Sequence, residues 1–118
     1  MSIKIYGYNR CSTCRKACKF LEEKGVKFEN IAIREQVPTL EELELMLKSY
    51  DGQIKKLFNT SGVTYRELKL KDVLPSLSEQ EALKLLQSDG NLIKRPFLIG
   101  NSIATVGFKE ELWTTLSF

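Results

Sequence analysis

Two cysteines, Cys11 and Cys14, stand where a short apolar alternation gives way to a helical repeat, and that junction limits the architecture more than any other feature. Residues 2–6 alternate, with Ile3 and Ile5 on one side, as a half-buried strand does. Gly7-Tyr8-Asn9-Arg10 reads as a loop. From 12 to 24, Cys14, Ala17, Cys18 and Leu21 fall at i, i+3, i+4 and i+7, one apolar face of a helix, and Gly25 is a natural stop. Residues 26–33 return to an extended pattern through Val26, Phe28 and Ile31. Strand, helix and strand at these lengths make a βαβ unit with parallel strands.

The remaining chain is first helical, then extended. Thr39-Leu40-Glu41-Glu42 is a capping box, and Leu40, Leu43 and Leu47 give the helix behind it an apolar stripe. A second helix is predicted over 51–58, with Ile54, Leu57 and Phe58 facing inward. After the polar loop 59–62, Thr64-Tyr65-Arg66-Glu67 reads as a further capping box opening a short helix. Ser78-Glu79-Gln80-Glu81 opens another, with Ala82, Leu85 and Leu86 inward and a stop near Asp89-Gly90. Arg95-Pro96 then precedes the apolar run Phe97-Leu98-Ile99, and Gly100-Asn101 turns it into a partner strand over 103–106. A closing helix is predicted over 109–116, carrying Leu112, Trp113 and Leu116. The order βαβ, four helices, ββα describes an α/β, thioredoxin-like fold with a mixed four-stranded sheet. The expectation is one domain over 1–118 with a helical insertion at about 39–90.

The chemistry is bounded by three cysteines and no histidine. No Cys–His dyad, Ser–His–Asp triad or His-ligated metal site can be assembled. Cys11 is expected at a helix N-terminus, where unpaired N–H groups and the positive dipole end favour thiolate over thiol. Arg10 and Arg15 add positive charge nearby. Cys14 follows one turn later on the same side, within disulfide reach. Cys11 is then the attacking nucleophile and Cys14 the resolving thiol. A Cys-x-x-Cys is also half of a zinc site, but only Cys18 remains as a third ligand. A redox-inert buried pair is the other alternative, and for Cys18 core packing is the favoured reading. No metal and no bound cofactor are expected.

Arg95-Pro96 is the second informative element. In a thioredoxin-like fold the pair before the third strand packs against the cysteines, and X-Pro is the common place for a cis bond. A cis Pro96 is predicted, with the Arg95 guanidinium turned towards the thiols to stabilise a thiolate or an oxyanion. Ser12 and Arg15 beside the cysteines and Asn59 in the polar loop are the candidate anion-binding residues. No run approaches a membrane span, and residues 1–6 lack the pattern of a signal peptide, so a cytosolic, thiol-reducing setting is expected. The net charge of +3 is scattered and does not call for nucleic acid.

The stretches Tyr6-x-x-Asn9-x-Cys11-x-x-Cys14-Arg15-Lys16-Ala17, Phe58-Asn59-Thr60-Ser61-Gly62-x-x-Tyr65-x-Glu67-Leu68, Leu92-Ile93-x-Arg95-Pro96 and Val106-Gly107-Phe108 together resemble the arsenate-reductase-like (ArsC/Spx/YffB) family, its short reductase-like branch in particular. The resemblance covers nearly the whole chain. It implies a thioredoxin-like fold with a helical insert, Cys11 as nucleophile, and glutathione, glutaredoxin or thioredoxin as electron donor. The glutaredoxin-linked arsenate reductases hold arsenate with three arginines. Arg95 matches one, while the other two positions fall at Asn59 and near Phe108. The histidine of those enzymes falls at Gly7, and the position of Cys14 is a serine in the one that this sequence best follows. One forked cation is little for a tetrahedral dianion, so efficient arsenate turnover is not expected.

The Spx-type regulators of the same family use the dithiol as a redox switch and bind the C-terminal domain of the RNA polymerase α-subunit. The resemblance implies that Gly52 is the match of a glycine on that partner surface. The leading expectation is therefore a thiol–disulfide oxidoreductase acting on a small-molecule or protein substrate. The alternative is a redox-sensing transcription regulator.

Overall fold

The computed structural model describes residues 2–118; Met1 lies outside them. Strand β1 (Ile3–Gly7) is followed by helix α1 (Ser12–Glu23) and strand β2 (Phe28–Ala32). Helices α2 (Leu40–Ser49), α3 (Val63–Glu67), α4 (Leu70–Val73) and α5 (Glu79–Ser88) fill the stretch before strands β3 (Phe97–Gly100) and β4 (Ile103–Val106), and α6 (Glu110–Trp113) closes the chain. The sheet order is β2-β1-β3-β4. β1 runs parallel to β2, with Ile5 opposite Asn30, and antiparallel to β3, with Ile5 opposite Leu98. β3 and β4 form the antiparallel hairpin. This is the mixed four-stranded α/β fold expected from the sequence.

Alternation along the strands builds two cores, one on each face of the sheet. Ile3, Ile5, Leu98 and Ile103 meet Ala17, Phe20 and Leu21 of α1 and Trp113 of α6. Tyr6, Phe97 and Ile99 point the other way, into a larger cluster with Leu43, Met46 and Leu47 of α2 and Leu83 and Leu86 of α5. Burying an aliphatic or aromatic side chain of this size stabilises a fold by about 1.5–3 kcal/mol.

A polar cluster ties the helical segment to β1, and the Tyr50 hydroxyl ties it to β4, accepting from the Val106 N–H at 3.0 Å. Thr39 and Glu42 form the expected capping box at the start of α2. The Glu42 carboxylate also accepts from the Tyr6 hydroxyl at 2.6 Å and the Lys4 ammonium at 3.2 Å. Burial alone would raise the Glu42 carboxyl, but Tyr6, the Thr39 N–H and Lys4 outweigh it and hold it below the usual range. Burial, with Glu42 beside it, pushes the Tyr6 hydroxyl up.

The structure departs from the sequence expectations mainly between β2 and β3. In place of a helix over 51–58 there is a four-residue 3-10 turn, Ile54–Leu57. Asp51 and Gly52 take positive φ, 56° and 79°, and serve as the exit from α2, so only a short remnant can coil. Phe58 is buried as expected, but in an extended conformation that bridges to Ile93. The box read at Thr64 is not used: Gly62 is the N-cap of α3, which starts two residues earlier than that box would place it. A left-handed Lys69 (φ 53°) separates α3 from the unanticipated α4, which runs on into a 3-10 turn at Leu74–Ser76. On α5 it is Leu83, rather than Leu85, that is fully buried. α6 spans one turn only, and Leu112 is 48 % exposed.

Candidate functional site: the Cys11–Cys14 loop

β1 ends at Gly7, and four residues later α1 begins with Cys11 as its N-cap in an extended conformation (φ −83°, ψ 117°). The Cys11 N–H donates to the Tyr8 carbonyl at 2.9 Å, which turns the loop tightly into the helix. No side-chain hydrogen bond caps this end, and the first turn carries no acidic residue. The Cys11 sulfur therefore occupies the place that a Ser or Asp oxygen takes at other helix starts.

The two thiols are free and differ sharply. Partial burial would raise Cys11, but the Cys14 N–H and thiol, the Thr13 N–H and the Arg95 charge together bring it below the ordinary thiol range. Cys14 is only 4 % exposed. Burial, reinforced by the adjacent Cys11 sulfur, pushes it up to about 12 against smaller opposing pulls from the Tyr8 backbone and Arg95. Cys18 is half-buried and raised by burial and by Glu22, and its sulfur accepts a weak 3.7 Å contact from the Asn30 amide. Gly7 lies directly under Cys14: a Cβ there would stand 3.1 Å from its sulfur. Among the described residues no group of three or more His, Cys, Asp or Glu could hold a metal ion.

The Arg95-Pro96 bond is cis. Arg95 is half-buried, and its guanidinium carbon lies 5.6 Å from the centroid of the Tyr8 ring, which also carries Arg34 at 3.8 Å. Arg95 Nη1 is buried with no hydrogen-bond partner among the described residues. The structure thus brings Cys11, Cys14, Arg95 and Pro96 together. Ser12 is exposed at the first position of α1. Arg15 instead donates to the Asn9 carbonyl at 3.0 Å and leans to the far side of the helix start. Asn59 is engaged with the 90s segment: its N–H donates to the Leu92 carbonyl at 2.7 Å and its amide to the Asn91 carbonyl at 3.4 Å.

Sequence reasoning did not single out Tyr8 or Thr13, and it met Gly7 only as the position of a histidine in the similar reductases. Thr13 was recoverable, because the second and third N–H groups of a helix are the ones that face its cap. Tyr8 and Gly7 carry no such signal, since their roles come from close approach in space.

Two grooves flank the loop. One, of about 790 Å³, reaches Cys14 and Cys18 past Tyr8 and Arg34. The other, of about 750 Å³, is entered past Thr13 and Arg95.

A thioredoxin-like sheet with a cysteine pair at the mouth of its first helix and a cis-proline beside it defines the class. Residues 6–116 match the ArsC family, and the chain belongs to that family. It is 51 % identical over 111 residues to the uncharacterized protein YusI of Bacillus subtilis, covering 94 % of each. The global transcriptional regulator Spx of Listeria innocua is 27 % identical over 92 % of this chain and 82 % of its own length. The crystal structure of an ArsC family related protein from Bacteroides fragilis superposes with a TM-score of 0.90 at 42 % identity, covering 99 % of this chain and 98 % of that one.

Proposed function

We propose that the protein is a thiol–disulfide oxidoreductase working through Cys11 and Cys14. The carrying observation is the inequality of the two thiols, one lowered at the open end of a helix and one held protonated a turn below. The Cys11 thiolate attacks a substrate disulfide. A mixed disulfide forms, and the first substrate sulfur leaves as a thiolate that takes a proton from solvent. Cys14 then gives up its proton and attacks the Cys11 sulfur, expelling the second substrate thiol. Two electrons have passed to the substrate, and the Cys11–Cys14 disulfide remains. Two equivalents of glutathione, or one reduced glutaredoxin or thioredoxin, restore the dithiol. The unpaired Arg95 Nη1 donor stabilises the thiolate and anionic partners. Among the described residues no helix is long and apolar enough to cross a membrane, and a cytosolic, glutathione-buffered setting suits this cycle.

The test is alkylation mass spectrometry after equilibration in graded glutathione buffers. A reversible Cys11–Cys14 disulfide with Cys18 free is expected. Three thiols that stay reduced at every ratio would sink the proposal.

A second reading, a redox-responsive regulator, has one observation in its favour beyond the kinship with Spx. Gly52 sits on an exposed turn at φ 79° with open space around it, which suits close approach by a partner backbone. It predicts that the immobilised protein retains the C-terminal domain of the RNA polymerase α-subunit. No retention in either redox state speaks against it.

A further inference from the structure

The groove entered past Thr13 and Arg95 is one-sided in charge. Lys55, Lys56, Lys94, Arg95 and Lys109 line it, and no Asp or Glu does. The groove on the Cys18 side is mixed, with Arg15, Lys19 and Arg34 set against Glu22 and Glu35. Between the cations lie apolar side chains, among them Val106, half-buried Phe108 and exposed Leu112. At its entrance the backbone is ready for an extended chain. The Lys94 N–H donates to the Leu57 carbonyl, and the Pro96 carbonyl accepts from Gly107, so pairing runs up to Arg95 from both sides. The Arg95 N–H and carbonyl themselves have no partner among the described residues.

We infer that this groove receives an acidic stretch of polypeptide, extended against Arg95, whose own disulfide is thereby presented to Cys11. The inference rests on the redox reading above and names the substrate class for that site. Carboxylates flanking the scissile disulfide face the lysines. Apolar residues of the peptide fall on Val106, Phe108 and Leu112. The free backbone groups of Arg95 favour a polypeptide over a small anion, because pairing with an unpaired main-chain edge is how extended peptides are held. A single-sign, low-dielectric cleft raises the encounter rate with opposite charge by about ten- to a thousandfold, and salt weakens the effect.

The test uses the reduced full-length protein and three synthetic peptides bearing the same mixed disulfide, flanked by Glu, Ser or Lys. The readout is the rate of Cys11 oxidation by rapid alkylation and mass spectrometry. A neutral small disulfide, 2-hydroxyethyl disulfide, is run in parallel. The Glu peptide is expected to react about tenfold faster than the Lys peptide at low salt, with the ratio shrinking towards one in strong salt. Combining Lys55→Glu with Lys56→Glu is expected to collapse or invert the ratio, whereas Lys19→Glu in the other groove keeps it. The wild-type salt series reads the same property without a variant. Equal rates for the three peptides, with the small disulfide reacting normally, overturn the acidic-peptide inference alone. A preference that Lys19→Glu removes and the Lys55/Lys56 change does not also overturns it. Failure of every disulfide to oxidise Cys11 removes the redox reading and this inference together.

Discussion

The two sides of the Cys11–Cys14 loop are close in space and opposite in character. On the Arg95 side the groove carries cations only, and its arginine holds a spare donor next to a thiol whose proton is weakly bound. On the Cys18 side charges of both signs are mixed, and the sulfurs that line the groove, Cys14 and Cys18, are both held protonated. The same short helix start serves both. The difference teaches that thiol acidity here is set less by which residue type is present than by which side of α1 it faces. Position at the helix mouth exposes a sulfur to unpaired N–H groups, while one turn deeper burial wins.

Three changes would break or sharpen that contrast. The largest effect is expected from Gly7→Val, which forces bulk against the Cys14 sulfur. Resolution of a preformed Cys11 mixed disulfide should slow on the order of tenfold, because small misplacements of a reacting atom are costly. The first attack by Cys11 should survive, and stopped-flow thiol release separates the two steps. If both steps slow equally, the two sulfurs are not independently positioned.

A smaller effect is expected from Arg95→Met. Arg95 favours the Cys11 thiolate, so its loss raises that thiol. Iodoacetamide labelling of Cys11 should slow several-fold below the usual thiol range and converge with the wild type at high pH, where both are fully ionised. An unchanged pH profile would mean that the helix end alone lowers Cys11. The smallest effect is expected from Cys18→Ala. Labelling of Cys11 and the midpoint of the Cys11–Cys14 couple should stay within about twofold, since a raised, half-buried thiol contributes little nucleophile. A larger shift would bring the quieter groove into the chemistry.

The legible and illegible parts of this chain divide along physical lines. The βαβ start and the β3–β4 hairpin could be read because apolar spacing of 3.6 and 2 is strong there and Gly25 and Gly100 punctuate it. The stretch between β2 and β3 was harder, because its helices are short and one of its breaks uses Lys69 at positive φ, where the residue type gives little warning. At the site, Cys11, Cys14 and the Arg95-Pro96 pair are recognisable from local chemistry. The lysines at 55, 56, 94 and 109 are not, since only the fold brings residues so far apart in sequence to one groove.

Gly7 and Cys14 share one small volume, so a side chain at 7 and a sulfur at 14 compete for it. With sulfur at 14, residue 7 has little room for a side chain. A serine at 14 would ease the 3.1 Å contact with the sulfur but not the 3.3 Å contact with the Cys14 Cβ. The arsenate reductase whose motifs this chain best follows pairs a histidine at the position of Gly7 with a serine at that of Cys14. Covariation between these two columns should accordingly sort the relatives of this chain into those with a resolving thiol and those that borrow one from outside.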